Sequence, residues 1–436
     1  MTNRRMNAIL LTFAATSALL RGQTASPPQL TLAEARATAL KNHPQVLASQ
    51  AMYLRADQVT RETRSAYFPT LNGDLTAGQA EVNSRIGAGI INDSSLFNHA
   101  GAGMTLTQLI TDSGRTRNLV ANSNLQAQAS HQDYQAARYD VVLAVGQAYY
   151  EVLLAEQLVK VAEQTVATRQ TVVDQVSELT KNRLKSEVDL SFAQVNAADA
   201  RLMLLRARDR LNSAYAQLAQ TMGTEQDVRY QLREEPMPPN PPDDAETLIA
   251  QAFENRPELA SLRFQTQAAQ KFAEAERDLK RPSVNFVALG GALPYINPGN
   301  ANPGIDKTYE AAAVNIEIPI FNGFLFSARR QAAEYQLRAE EQRTRDLQDR
   351  VARDVRTAYE RTKTNFEAIA ATQQLLTQAN LAMSLAQGRY DLGLASIVEL
   401  TQAQLGQTSA QVENLNAKYE YQESYAALQY TLGLLH

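Results

Sequence analysis

The sequence predicts a mainly α-helical chain: a tandem duplication of long helical hairpins, with four short membrane strands inserted between the helices. Three observations carry this. The chain repeats itself at a nearly constant offset, each repeat holds a long run without proline, and each contains two short segments of alternating polarity.

The repeat comes first. ALKNHPQV (39–46) matches AFENRPEL (252–259), and Pro69 matches Pro282, all at an offset of 213. LITDSG (109–114) matches PIFNG (319–323) at 209. LKSEVDLSFAQ (184–194) matches LASIVELTQAQ (394–404), and YAQLAQTMG (215–223) matches YAALQYTLG (425–433), both at 210. Matches in this order and at this spacing mark a duplication. The predicted organisation is a leader at 1–25, a first repeat at 26–223, a linker at 224–245 and a second repeat at 246–436. The linker holds five prolines within 236–242, a stiff non-helical composition.

The leader has Arg4 and Arg5, an apolar stretch from Ala8 to Leu20, then small polar residues. That is the layout of a secretory signal peptide; a buried N-terminal helix is the alternative. No later segment has the run of apolar residues of a transmembrane helix, so any membrane span must be built from strands.

Each repeat opens on a helix, about Leu32 to Tyr67 and Glu246 to Lys280, interrupted near Pro44 and Pro257. Period-two segments follow at 70–77, 104–111, 283–289 and 313–319. Asp112 and Asn322 are then good N-cap residues for the proline-free runs. The first run, about Thr116 to Thr180, predicts a helix of roughly 100 Å, and the return helix from about Ser186 to Met222 covers about 55 Å. The return helix stacked end to end with the opening helix nearly matches the long one. Two apolar seams with heptad spacing, displaced by one residue, give the long helix two packing faces. This suits a ring of helices, and equally a plain bundle.

Four strands cannot close a barrel, and a membrane sheet with open edges is not viable, so several chains must pool their strands. Tyr67, Phe68, Phe321, Phe324 and Phe326 flank the strands where an aromatic girdle is expected; core aromatics of a soluble sheet are the alternative.

Composition excludes more than it assigns. The chain has 436 residues, no cysteine, four histidines and a formal charge of −4. No disulfide or thiolate metal site is possible, and no basic surplus exists for nucleic acid. The histidines are scattered, so no metal centre is expected. Phosphate-loop, HExxH, GxSxG and dinucleotide signatures are missing, which argues against an enzyme and predicts no cofactor.

The segment GRYDLGLASIVELTQAQ (388–404) places Gly388 and Gly393 late in the second long helix and Glu399 just beyond. They read as a helix end, with Ser396 starting the return helix and Ser186 its twin in the first repeat.

With LTQLITDSG, IPIFNGF and the two turns of YxxGxxSxxEL type, the chain resembles the TolC family of outer-membrane efflux proteins over nearly all of its mature length. The resemblance implies a homotrimer in the outer membrane, its twelve pooled strands forming one β-barrel continuous with a periplasmic α-barrel tunnel. It further implies partnership with a periplasmic adaptor and an inner-membrane pump, in efflux or in type I protein secretion. A periplasmic coiled-coil scaffold without a channel is a different class of reading. By the same resemblance Glu399 matches an acidic pore-entrance position, and Gln402 stands where a second acid occurs. Tyr390 matches a position that bonds between helices at the closed tip, while Ala395 replaces a turn arginine. Asp189 is the repeat equivalent of Glu399. For both acids a solvated helix-start carboxylate is the alternative.

Overall fold

The computed structural model describes residues 28–79, 85–88, 91–95, 98–224, 229–242, 244–297 and 306–435; the leader at 1–25 lies outside them. The chain runs β1 (Gln29–Leu30), α1 (Leu32–Asn42), α2 (Pro44–Arg64), β2 (Thr70–Gly78), β3 (Arg85–Ala88), β4 (Ile91–Ser95) and β5 (Asn98–Thr111). The helices α3 (Arg115–Lys181) and α4 (Glu187–Met222) complete the first repeat. After β6 (Gln231–Leu232), the second contains α5 (Ala245–Asn255), α6 (Pro257–Asp278), β7 (Ser283–Asn297), β8 (Thr308–Glu317), α7 (Leu325–Asp391) and α8 (Ile397–Thr431).

The breaks near Pro44 and Pro257 mark real joints. Each proline sits at the first position of a helix, where its missing N–H costs nothing. The preceding His43 and Arg256 are extended. At the first joint, α4 ends on Gly223 with φ +64°, and a Cβ there would lie 3.0 Å from the carbonyl of Asn42. At the second, α8 ends just before Gly433 with φ +70°, where a Cβ would lie 2.8 Å from the carbonyl of Asn255. The short helices thus abut end to end, and each abutment needs a residue without a side chain. Against them run α3 and α7, 67 residues each, roughly 100 Å long.

So long a body has no single core. One apolar cluster joins α1, α3 and α4 around Val145, Tyr149 and Leu218, a second joins α5, α7 and α8 around Val355 and Leu428, and a third lies near the hairpin tips. The linker is tied across the shaft. β1 and β6 pair in parallel, the Tyr149 hydroxyl lies 2.9 Å from the Leu30 carbonyl, and the Gln422 amide donates to the Glu235 carbonyl at 3.2 Å.

The main sheet is antiparallel, in the order β2-β5-β7-β8. Its strands have 9, 14, 15 and 10 residues, the central pair longer than the alternating segments at 104–111 and 283–289 predict. The register aligns Leu71 with Leu106, and Phe286 with Val314, on one face, together with Leu75, Met104 and Ile316. The other face takes Asn72 with Thr105, Asp74, Thr107, and Asn285 with Asn315. The first face is the more apolar, although it also carries Gln108 and Glu310, and the second the more polar, although it also carries Val287 and Leu289; the asymmetry suits a sheet between lipid and water. Among the described residues no helix is long and apolar enough to cross a membrane.

The strand-to-helix junctions correct two expectations. The N-cap positions are Gly114 and Phe324, both with positive φ, in place of Asp112 and Asn322. The chain makes a left-handed turn before entering each helix. Asp112 still serves the helix start, its carboxylate accepting from the Thr116 amide at 2.6 Å. Of the flanking aromatics, Tyr67, Phe68, Phe321 and Phe324 are exposed, and the last two meet edge to face at 5.7 Å. Phe326 is half-buried.

Candidate pore entrance at the hairpin tips

The tip between α7 and α8, termed inner as that between α3 and α4 is termed outer, is built by a glycine turn. α7 continues through Gly388 to Asp391, so Gly388 does not end the helix; a helix interior tolerates one glycine at a cost of about 1 kcal/mol. The end is at Gly393, with φ +74°. The Gly393 amide donates to the Tyr390 carbonyl at 3.0 Å and the Leu394 amide to the Arg389 carbonyl at 2.8 Å, a Schellman closure. Ser396 then caps α8, its hydroxyl accepting from the Glu399 amide at 3.2 Å.

In the outer tip, between α3 and α4, Arg183 takes the left-handed position with φ +59° and Leu184 closes back on the Leu179 carbonyl at 2.8 Å. Ser186 caps α4 in a full capping box with Asp189: the Asp189 amide donates to the Ser186 hydroxyl at 3.1 Å, and the Ser186 amide to the Asp189 carboxylate at 3.2 Å. The Asp189 carboxylate is held in this cap.

Glu399 is differently placed. Its carboxylate is 44% exposed and pairs with Arg389 Nε at 3.3 Å, while Arg389 Nη2 donates to the Leu394 carbonyl at 3.3 Å. The guanidinium thus straps the turn while half-neutralising the acid. Gln402, one helical turn on from Glu399, is exposed. Tyr390 faces inward: it is buried with Val176, Met383, Ala395 and Leu400 in the cluster between the two hairpins. Lys185 Nζ of the outer tip lies 4.7 Å from the centre of its ring, a cation over an aromatic face. The Tyr390 hydroxyl has no hydrogen-bond partner among the described residues. Burial raises its pKa, with the Asp189 and Asp391 charges adding to the effect. A polar tie completes the contact, Asn196 of α4 donating to the Thr401 hydroxyl of α8 at 3.0 Å.

The structure therefore brings Tyr390 to the outer tip that carries Asp189, and leaves Glu399 and Gln402 on an exposed face of α8. Two residues that sequence reasoning passed over complete the arrangement, Arg389 and Lys185. The repeat offset held a clue to the second: Lys185 is the equivalent of Ala395, so the cation missing from the inner turn stands in the outer one. The arrangement positions charge at the end of two helical hairpins and packs those hairpins together.

The sequence profile of the outer membrane efflux protein family matches residues 35–224 and 248–434. The outer membrane protein TolC of Vibrio cholerae is 25% identical over 411 residues, covering 93% of this chain and 91% of its own. The alkaline protease secretion protein AprF of Pseudomonas aeruginosa is 24% identical over 421 residues, covering 91% and 83%. Among solved structures, the Campylobacter jejuni CmeC outer membrane channel superimposes with a TM-score of 0.79 at 18% identity, covering 99% of this chain and 94% of that one.

Proposed function

The chain belongs to the outer membrane efflux protein family, and from that premise we propose how its geometry makes an exit duct. It is an outer-membrane channel protein with a long periplasmic helical extension, of the kind that serves efflux and secretion systems. Three copies supply twelve strands from their four-stranded sheets, and the polar sheet faces line one lumen. The observation that carries this reading is the two-faced sheet whose edge strands β2 and β8 have no outer neighbour among the described residues. It is joined directly to helices of 67 residues. The exposed aromatics Tyr67, Phe68, Phe321 and Phe324 suit the membrane interface at that junction, and half-buried Phe326 lines a groove with Leu109, Asp112 and Arg115.

In this reading the tips at Gly393 and Arg183 form the periplasmic entrance, met by an adaptor protein and fed by an inner-membrane pump that supplies the energy. Glu399 from each copy, with Gln402 beside it, lines the entrance and favours cations. Its alternative, a plain helix-start acid, is supported by the Arg389 pair. Planar-bilayer recording of the purified protein separates the two. Glu399→Ala is expected to lower the cation-to-anion permeability ratio and to weaken block by polyvalent cations. Unchanged selectivity removes Glu399 from the entrance, and a protein that neither inserts nor conducts removes the duct.

Efflux of small solutes is the leading assignment. Protein secretion is the second, favoured by similarity to a protease secretion protein. The pump that co-purifies decides between them.

A further inference from the structure

Between the hairpins, above the tips, lies a small polar crevice walled by α3 and α8, with a volume of about 50 Å³. Arg169 of α3 and Gln404 of α8 both line it. The Arg169 side chain is almost completely buried, at 5% exposure, and Gln404 is buried at 6%. Arg169 Nη1 donates to the Asn196 carbonyl at 2.9 Å, yet its Nε has no acceptor, and neither does Gln404 Nε2. Arg169 makes no ion pair among the described residues; Asp199 on exposed α4 acts only at longer range. The hydroxyls of Thr165 and Thr408 donate to carbonyls of their own helices at 2.8 and 3.0 Å, so their protons are already committed.

A buried guanidinium without a counter-charge is a costly arrangement, and burial lowers its pKa accordingly. Two unfilled donors on facing helices demand an acceptor, and the positive charge favours one that is negative. The room decides its size. One small particle needs about 10–15 Å³ of such space, so the crevice has room for a single halide-sized ion. We propose that Arg169 and Gln404 bind one small monovalent anion of halide size, which ties α3 to α8. The duplication does not copy this site: Ala379 stands at the position equivalent to Arg169. One anion per chain follows. The proposal rests on the crevice alone and stands whether or not the protein conducts.

Bromide is the probe. The whole protein is crystallised with bromide as the sole halide, and anomalous differences are collected at the bromine edge. One peak per chain is expected within about 3.5 Å of Arg169 Nε. Arg169→Gln abolishes it, while Arg201→Gln, an exposed arginine bonded to Gln170, leaves it unchanged. If Arg169→Gln does not fold, Gln404→Met serves instead and lowers the bromide occupancy. Density in the crevice without anomalous signal means water only and overturns the proposal. So does a bromide peak that survives in Arg169→Gln.

Discussion

Glu423 of α8 lies half-way along the shaft, facing α3, α4 and α7, and its carboxyl pKa is pushed from 4.5 up to about 7. Burial is the main cause, followed by the carboxylates of Glu151 and Glu420; Arg361 and Arg210 oppose them. The opposition is weak for a geometric reason: Arg210 is bound in bidentate fashion to Glu151, at 2.6 and 3.1 Å. A carboxyl whose pKa is higher folded than unfolded stabilises the fold fully below the unfolded value. That contribution is lost as the pH rises through the folded value. Between 4.5 and about 7 the helix packing therefore weakens, by at most about 3 kcal/mol at pH 8 and by about 1 kcal/mol already at pH 5. Glu423→Gln keeps the shape and removes the titration. The assay is hydrogen exchange of the slowest amides of α8, compared between the two proteins at each pH. At pH 8 the variant is expected to exchange about two orders of magnitude more slowly, shrinking to a few-fold at pH 5. A protection ratio that does not change with pH would refute the argument, as would faster exchange in the variant at pH 8.

The two tip turns make opposite predictions from one conformation. Gly393→Ala forces a Cβ into φ +74° with open space around it, so about 1–2 kcal/mol of pure backbone strain should appear as faster exchange at the inner tip. Arg183→Gly relieves φ +59° and should slow exchange at the outer tip, by about 0.5–1 kcal/mol. Lys185→Met removes the cation over Tyr390, about 1 kcal/mol between the hairpins, and is expected to raise open probability in bilayers. Lys185→Arg should preserve the closed level; equal behaviour of the two variants would show that the contact does not hold the tip.

The helices were legible because their punctuation is chemical. Pro44 and Pro257 cannot sit inside a helix, and the motifs around them recur with Gly223 and Gly433, the residues they meet in space. The strand ends were not legible. β5 and β7 run on through glycine- and alanine-rich stretches such as Gly101–Ala102–Gly103 and Gly290–Gly291–Ala292, where alternation has no contrast to display. The N-cap positions were missed by two residues because a preferred cap side chain, Asp112, works from outside the cap position. At the tip, spacing and likeness singled out Glu399 and Tyr390 as candidates. Arg389 and Lys185 escaped because each acts across a turn or across hairpins far apart in the chain. Gly388 misled, since glycine lowers helix stability without ending a helix.

The edges of the main sheet bear on how the protein comes into being. β2 and β8 each present an edge of amides and carbonyls that no other strand among the described residues covers. In hydrocarbon those groups cost several kcal/mol apiece, so a lone chain has no stable transmembrane state to wait in. On the proposed pooling of strands, closure is a reaction of order higher than one in protein. Its yield depends on how many newly exported copies meet before their edges find some other strand. Scarcity should harm this protein more than modest loss of helix stability, and a low expression level should leave edge-exposed chains for proteolysis.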